Sequence, residues 1–202
     1  MQYCPWCGSK LGIKLDGGRD RPACMAAGCG FIYFGQPSIG CGAVVLRNGK
    51  VLMIQRGLPP RGTWQIPGGF VEVDEHIHSA VEREVLEESG VIAKMEEVLG
   101  FRYQAQVHPD RPNSNIYVVF RLSPISGEPK PDDEESLAAG YFSLDELAHM
   151  ENVQGLSMWA IQLALSAPKG AGLVVHVTDG TVLRPGGSLF GLSVNPRSAA
   201  IS

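Results

Sequence analysis

Apolar and polar residues alternate in several short segments of the chain, and this alternation predicts β-strands. Residues 40–56 contain two β-rich runs around Asn48-Gly49, a dipeptide typical of a two-residue type I′ hairpin turn. A short strand is expected before Pro67-Gly68-Gly69. Further strand-like runs are found at 98–107, 115–122 and 138–142.

A helical period of about 3.6 residues replaces this alternation at 76–89, where Gly90 is expected to end the helix. Two shorter helices are predicted at 145–150 and 156–166, the first of them with Ser143 as its N-cap. Hairpins mixed with helices indicate the α/β (α+β) class and a layered sandwich.

Both ends of the chain differ in composition from its middle. Residues 1–36 are punctuated by glycine and cysteine, whereas the residues after 166 are rich in glycine and serine. Asp179-Gly180 lies between β-branched runs and predicts a hairpin at 173–184, followed by a flexible tail. We therefore expect three parts: a module at 1–36, a domain at 37–166 and a C-terminal extension at 167–202.

The composition describes a globular protein, with 44% hydrophobic and 19% charged residues in 202. Its net charge of −4 provides no general basic field and argues against a nucleic-acid partner. No apolar run approaches the 18 residues of a membrane span, and the first residues do not resemble a secretory signal. We expect a cytoplasmic protein that has no membrane partner.

Four of the five cysteines form two close pairs near the N-terminus. Cys4 and Cys7 have the i, i+3 spacing of a zinc knuckle, whereas Cys24 and Cys29 have the wider Cys-x4-Cys spacing. Clustered cysteines without a secretory signal favour a metal over disulfides, and we expect a structural Zn²⁺ that stabilises the small module. Two alternatives stay open: a site that holds no metal, and a ribbon that binds nucleic acid or protein through Lys10, Lys14, Arg19 and Arg21. Cys41 stands alone and is expected in the core.

Negative charge is concentrated at 72–97, which has nine acidic and two basic residues, a net −7 against +3 for the rest. At about 100° per residue, the apolar side of the helix is marked by Ile77, Ala80, Val81 and Val85. Glu84 and Glu88 fall within that side, and Glu87 lies at its border. Because a solvated charge run would face the other way, these carboxylates indicate a site for Mg²⁺ or Mn²⁺. Arg83, one turn before Glu87, is expected to orient it.

The residues around this helix resemble the Nudix box, G-x5-E-x7-R-E-U-x-E-E-x-G-U, where U is aliphatic. Every defined position matches, at Gly69, Glu75, Arg83, Glu84, Val85, Glu87, Glu88, Gly90 and Val91. The segment 64–69 is similar to the strand that leads into the box. The resemblance covers about 38–166, and the N-terminal cysteines resemble the zinc ribbon of some family members.

Similarity to the Nudix family implies an α/β/α sandwich with a small N-terminal zinc ribbon. It also implies a hydrolase that cleaves the diphosphate of a nucleoside diphosphate linked to a further moiety. On that analogy, the Mg²⁺ or Mn²⁺ ligands are Gly69 (through its carbonyl), Glu84, Glu87 and Glu88. Arg83 positions a carboxylate. Glu75 supports either the start of the helix or the residues that surround the metal ligands.

The resemblance leaves the base that activates water open. In some relatives it lies in the box, and in others it comes from a loop, where Glu135 matches by its spacing to Tyr141-Phe142. Glu134 is the neighbouring alternative, and both residues are also compatible with a solvated loop. The catalytic candidates are therefore Arg83, Glu84, Glu87 and Glu135.

The resemblance implies a class of substrate but does not select one compound within that class. The motifs of NADH-specific and coenzyme A-specific relatives are absent, and the short loop at 104–115 is similar to relatives acting on FAD or ADP-ribose. We expect a nucleotide-type substrate, with FAD, ADP-ribose or NAD(H) favoured. The candidate substrate-binding residues are Arg56, Trp64, Phe70 and Tyr103, with Phe101, His108 and Tyr117 as further candidates.

Two other functions stay open at this point. One is a non-catalytic sensor of such ligands, and the other is a decapping-like hydrolase that holds nucleic acid with its ribbon. A homodimer is expected by analogy alone.

Overall fold

The computed structural model describes residues 1–105, 113–176 and 189–192. The chain divides into two compact units, 1–37 with 105–114 and 38–104 with 115–202. The first unit is built on a hairpin of β1 (Leu11–Asp16) and β2 (Arg19–Cys24), which pair antiparallel. Its two-residue turn, Gly17-Gly18, has positive φ at both positions, as a type I′ turn requires. The division at 36 and 166 stays a prediction.

Eight strands form the second sheet, in the order β10-β9-β6-β7-β3-β4-β5, with β8 paired to β4. Their bounds are β3 Gln36–Arg47, β4 Lys50–Arg56, β5 Trp64–Gln65, β6 Ile92–Ala105, β7 Asn113–Ser126, β8 Ser136–Phe142, β9 Leu173–His176 and β10 Leu189–Leu192. The pairing of β4 with β8 joins segments about 85 residues apart, and it brings the end of β4 beside the loop that precedes β8.

The predicted hairpin at Asn48-Gly49 is confirmed. Both turn residues have positive φ, and Arg47 pairs with Lys50 across a two-residue loop. The strand predicted to begin at residue 98 begins at Ile92, and residues 106 and 107 lie outside the described residues. Strand β9 lies within the hairpin predicted at 173–184, but the strand that it pairs with, β10, lies beyond residue 184. The predicted turn at Asp179-Gly180 lies outside the described residues.

The three predicted helices are confirmed as α1 (Ile77–Ser89), α2 (Leu144–Ala148) and α3 (Gly155–Ser166). Gly90 ends α1 in the left-handed conformation, with φ 69°, and its N–H donates to the Leu86 carbonyl. Ser143 caps α2 in a capping box with Glu146. No helix in the described ranges is long and apolar enough to cross a bilayer.

Alternating residues of β3 contribute to two separate cores. Cys41, Ala43 and Val45 pack with the apolar side of α1, whereas Val44 packs with α3 through residues such as Ile161. Helix α1 therefore covers one face of the sheet, α3 together with Leu147 of α2 covers the other, and the predicted α/β/α sandwich is confirmed. Cys41 is fully buried, as expected of a core residue.

Candidate active site and cysteine cluster

Two carboxylates of α1 face the protein interior. Glu84 and Glu88 are 7% and 4% exposed, while the side chain of Glu87 is 56% exposed. The orientation predicted from the helical period is therefore confirmed. Three carboxylates, two of them largely removed from water, are presented by two turns of one helix.

The glycines before α1 allow the backbone to approach these carboxylates closely. The N–H of Gly68 donates to Glu88 Oε2 at 2.7 Å. A Cβ atom on Gly69 would lie 2.6 Å from both carboxylate oxygens of Glu84, so only glycine leaves that space open. The Gly69 carbonyl accepts a hydrogen bond from the Cys41 N–H at 2.9 Å, which fixes its position and leaves its second lone pair available.

Arg83 connects the acidic residues of this region. Its guanidinium donates to Glu75 at 2.8 and 3.1 Å, to Glu84 at 2.9 Å and to Glu87 at 2.8 Å. The hydrogen bonds to Glu75 are the largest cause of the raised pKa of Arg83, and Arg83 in turn lowers the pKa of Glu75. Arg83 thus contacts Glu87, as predicted, and one guanidinium fixes three carboxylates.

Burial dominates the electrostatics of the inward-facing pair. Burial raises the pKa of Glu88 to about 8, the charges of Glu84 and Glu135 add to this, and the hydrogen bond from Gly68 opposes it. Burial also raises the pKa of Glu84, against the lowering effect of Arg83. Burial disfavours the ionised form of both carboxyl groups, and a cation bound between them would stabilise that form.

A pocket of about 600 Å³ opens over these carboxylates. It is lined by Arg56, Leu58, Gly68, Gly69, Phe70, Glu72, Arg83, Glu84, Glu87, Glu88, Asp132, Glu134 and Glu135. The structure thus brings the box residues together with both loop glutamates. After burial, the negative charge of Glu135 is a further cause that raises the pKa of Glu84 and of Glu88, which favours Glu135 over Glu134 as the loop carboxylate that acts with them.

The predicted substrate-binding residues divide into two groups. Arg56 and Phe70 line the pocket, and Trp64 and Tyr103 do not. The Trp64 ring packs edge-on against Phe142, with 5.1 Å between centroids, and Tyr103 is exposed on β6.

Of the further candidates, Tyr117 and Phe101 do not line the pocket either. Tyr117 packs over Gly40 and Gly42 of β3, and Phe101 is exposed. His108 lies outside the described residues.

Three pocket residues were not singled out from the sequence: Leu58, Glu72 and Asp132. Leu58 follows β4, and Asp132 precedes β8, so their approach depends on the pairing of those two strands. No local pattern indicates that pairing. Glu72 had a signal, since it lies three residues after the box glycine in the most acidic segment of the chain.

The four N-terminal cysteines come together, as their spacing predicted. Their sulfur atoms all lie within 4.8 Å of one another, with Cys4 and Cys29 at 3.6 Å and Cys7 and Cys24 at 3.5 Å. Four thiolates bound at 2.3 Å around a tetrahedral Zn²⁺ are about 3.8 Å apart, so the cluster fits this ion despite its wider second knuckle.

Comparison with protein families and curated proteins gives consistent matches. A family model described as NUDIX domain matches residues 37–159. A MutT-like protein of Streptomyces ambofaciens is 35% identical over 72% of this chain and 86% of its own length. An ADP-ribose pyrophosphatase of Methanocaldococcus jannaschii is 37% identical, over 55% of this chain and 64% of that protein.

The NAD-capped RNA hydrolase NudC of Yersinia enterocolitica is 32% identical over 72% of this chain. The match spans about half, 52%, of that protein. Among solved structures, a NUDIX hydrolase from Nitrosomonas europaea superposes with a TM-score of 0.65 and 24% identity, covering 80% of this chain and 89% of that one. This last likeness is one of fold.

Proposed function

This chain belongs to the NUDIX family and is a hydrolase, and from that premise we propose that it cleaves the diphosphate of a nucleoside diphosphate linked to a further moiety. Its favoured substrates are ADP-ribose, FAD or NAD(H), and it depends on Mg²⁺ or Mn²⁺. The observation that carries the proposal is the pair of buried carboxylates, Glu84 and Glu88, beneath a 600 Å³ pocket that also contains a cationic side chain, Arg56.

The residues of this chain fit the divalent cation that the family implies. Glu84, Glu87 and Glu88, together with the Gly69 carbonyl, offer only hard oxygen ligands, the kind that Mg²⁺ and Mn²⁺ prefer. The missing side chain of Gly69 leaves room beside the Glu84 oxygens. When bound, the cation would neutralise negative charge on the diphosphate and acidify a water molecule.

The protein side chains around the cation site have separate roles in the proposed reaction. Glu135 accepts the proton of the attacking water, because it faces the same pocket as the carboxylates of α1. Arg83 holds Glu84 and Glu87 in fixed positions by donating one hydrogen bond to each of them. Arg56 provides positive charge for a phosphate oxygen, and its own Nη2 is anchored to the Pro59 carbonyl at 3.2 Å.

Apolar groups at the pocket wall suit the non-phosphate part of such a substrate. Phe70 and Leu58 are 64% and 45% exposed and both line the pocket. We infer that they contact the base or the flavin ring, as exposed aromatic and aliphatic side chains commonly do. Trp64 and Tyr103, which lie outside the pocket, have no part in this proposal.

The relatives support this substrate class without selecting one compound. The Methanocaldococcus relative is described as an ADP-ribose pyrophosphatase, and the Yersinia relative acts on NAD-capped RNA. Both names describe a nucleotide joined through a diphosphate to a second group. Because the chain spans 64% and 52% of these proteins, their activities come to this chain only as proposals.

A substrate panel tests the proposal. Purified protein is incubated with ADP-ribose, FAD, NADH and NAD-capped RNA, with and without Mg²⁺, and the products are separated by chromatography. We expect Mg²⁺-dependent release of a nucleoside monophosphate from at least one compound. Tight binding of ADP-ribose without cleavage of any compound would instead favour the non-catalytic sensor.

Two properties of the whole protein stay predictions. We propose a homodimer, by family analogy, and a cytoplasmic location. Light scattering coupled to size-exclusion chromatography tests the first, and a monomeric mass would contradict it.

A further inference from the structure

Six of the carboxylates that line the pocket come from α1 and from the loop before β8, and a buried serine joins these two elements. Ser136 is fully buried, and its hydroxyl donates to the main-chain carbonyl of Glu88 at 2.6 Å. The last carbonyls of a helix have no partner within the helix. The hydroxyl of Ser136 therefore satisfies and fixes the turn of α1 that carries Glu88.

The same serine is held in place by Asp132. The hydroxyl oxygen of Ser136 accepts a hydrogen bond from the Asp132 N–H at 3.1 Å, and the Ser136 N–H donates to Asp132 Oδ1 at 2.8 Å. Asp132 Oδ1 also accepts the N–H groups of Glu134 and Glu135, both at 3.1 Å. One carboxylate oxygen thus organises three successive amides, as in an Asx turn.

Gly57, the residue directly after β4, contacts the loop from the other side. The N–H of Gly57 donates to the Glu135 carbonyl at 2.7 Å. A Cβ atom on Gly57 would lie 2.2 Å from the Glu134 carbonyl oxygen, so the loop rests directly on this glycine. The main chain of Glu135 is therefore fixed at its N–H by Asp132, at its carbonyl by Gly57 and at the next residue by the link to α1.

We propose that Asp132 and Ser136 are positioning residues for the hydrolytic reaction: together they set the main chain of Glu135 against the turn of α1 that carries Glu88. The inference rests on the proposed function in one respect, the role of Glu135 as the base. Neither residue touches the reacting atoms in this account. Their effect on the rate passes through Glu135.

We call the hydrogen bonds that Ser136 and Asp132 make to each other, to the loop and to α1 the link. The test compares variants that remove hydrogen bonds of the link with a variant that keeps them. Ser136→Ala removes the hydroxyl, and Asp132→Ala removes the acceptor, whereas Asp132→Asn loses the charge and keeps an acceptor oxygen. We expect kcat to fall about 10- to 100-fold in both alanine variants with KM within about threefold, because a displacement of about 1 Å at a reacting group has a cost of this order. Asp132→Asn is expected to recover most of the lost kcat.

A double-mutant cycle separates positioning from general destabilisation. If Ser136 acts through Glu135, then Ser136→Ala in a Glu135→Gln background lowers kcat by less than about threefold. Equal fold losses in both backgrounds would overturn the inference, as would a Ser136→Ala enzyme with wild-type kcat. Asp133→Asn is the matched control, since Asp133 is exposed, lies outside the pocket lining and loses the same charge in this substitution.

Amide hydrogen exchange without added substrate distinguishes failure of this inference from failure of the proposed function. We expect faster exchange at residues 134–136 in both alanine variants and protection close to wild type in Asp132→Asn. If the wild-type protein cleaves no compound of the panel and the exchange pattern appears, the proposed reaction fails and the link stands. Unchanged exchange in Ser136→Ala contradicts the link itself.

Discussion

Replacement of Glu88 by glutamine tests the electrostatics of the pocket, since burial raises the pKa of this carboxyl from 4.5 to about 8. The folded protein then holds the proton more tightly than the unfolded chain does. In the absence of a cation, the resulting stabilisation is present below the ordinary glutamate pKa and is lost as the pH rises toward about 8. A pKa rise of this size corresponds to about 5 kcal/mol, and we expect about 2 to 4 kcal/mol in practice because the site relaxes and admits water.

The measurement is the free energy of unfolding by urea at a series of pH values between about 5 and 8.5, without added Mg²⁺. We expect wild type to lose about 2 to 4 kcal/mol more than Glu88→Gln over this range. Added Mg²⁺ is expected to restore wild type at the upper end and to leave Glu88→Gln nearly unchanged. The exposed Glu151→Gln is the control and should follow wild type. Parallel pH dependences for wild type and Glu88→Gln would refute the reasoning.

Three further predictions concern the glycine, the arginine and the cysteines. Gly69→Ala should lower kcat about 100-fold with the fold intact by circular dichroism, because its Cβ would displace the Glu84 carboxylate; activity within threefold of wild type would count against the close approach. Arg83→Lys keeps the charge but not the several hydrogen bonds, so we expect about tenfold lower kcat and a higher Mg²⁺ requirement in a metal titration; an unchanged titration would exclude the positioning role. Metal analysis should find about one Zn²⁺ per chain, and much less in Cys29→Ser, whereas less than about half an equivalent in wild type would exclude the zinc site.

The features predicted correctly from the sequence depend on local spacing. The helix at 76–89 and the inward orientation of Glu84 and Glu88 follow from a 3.6-residue period, and the turn at Asn48-Gly49 follows from the φ preferences of two residues. The spacing of the four cysteines likewise requires only a short chain that folds back on itself. Each of these inferences involves residues no more than 25 positions apart in the sequence.

The features that were not foreseen depend on pairing between distant segments. Trp64 was a substrate-binding candidate, but β5 places its ring against Phe142 rather than in the pocket. Leu58 and Asp132 reach the pocket only because β4 pairs with β8. The buried ion pair of Glu97 and Arg121, with 2.7 Å between Oε1 and Nε, was not predicted from the sequence either. The two residues lie on different strands, β6 and β7, and no local spacing relates them.

The most direct test of the central claim is the rate of nucleoside monophosphate release from ADP-ribose, FAD and NADH as a function of Mg²⁺ concentration, for wild type, Glu84→Gln and Glu82→Gln. Glu82 lies on the same helix, and its carboxylate contacts Lys94 outside the pocket, so this variant makes the same chemical change away from the site. We predict Mg²⁺-dependent release by wild type and Glu82→Gln, and a rate lower by at least about 100-fold for Glu84→Gln. Equal rates for the two variants, or release by wild type that is independent of Mg²⁺, would contradict the claim that the buried carboxylates hold a catalytic cation.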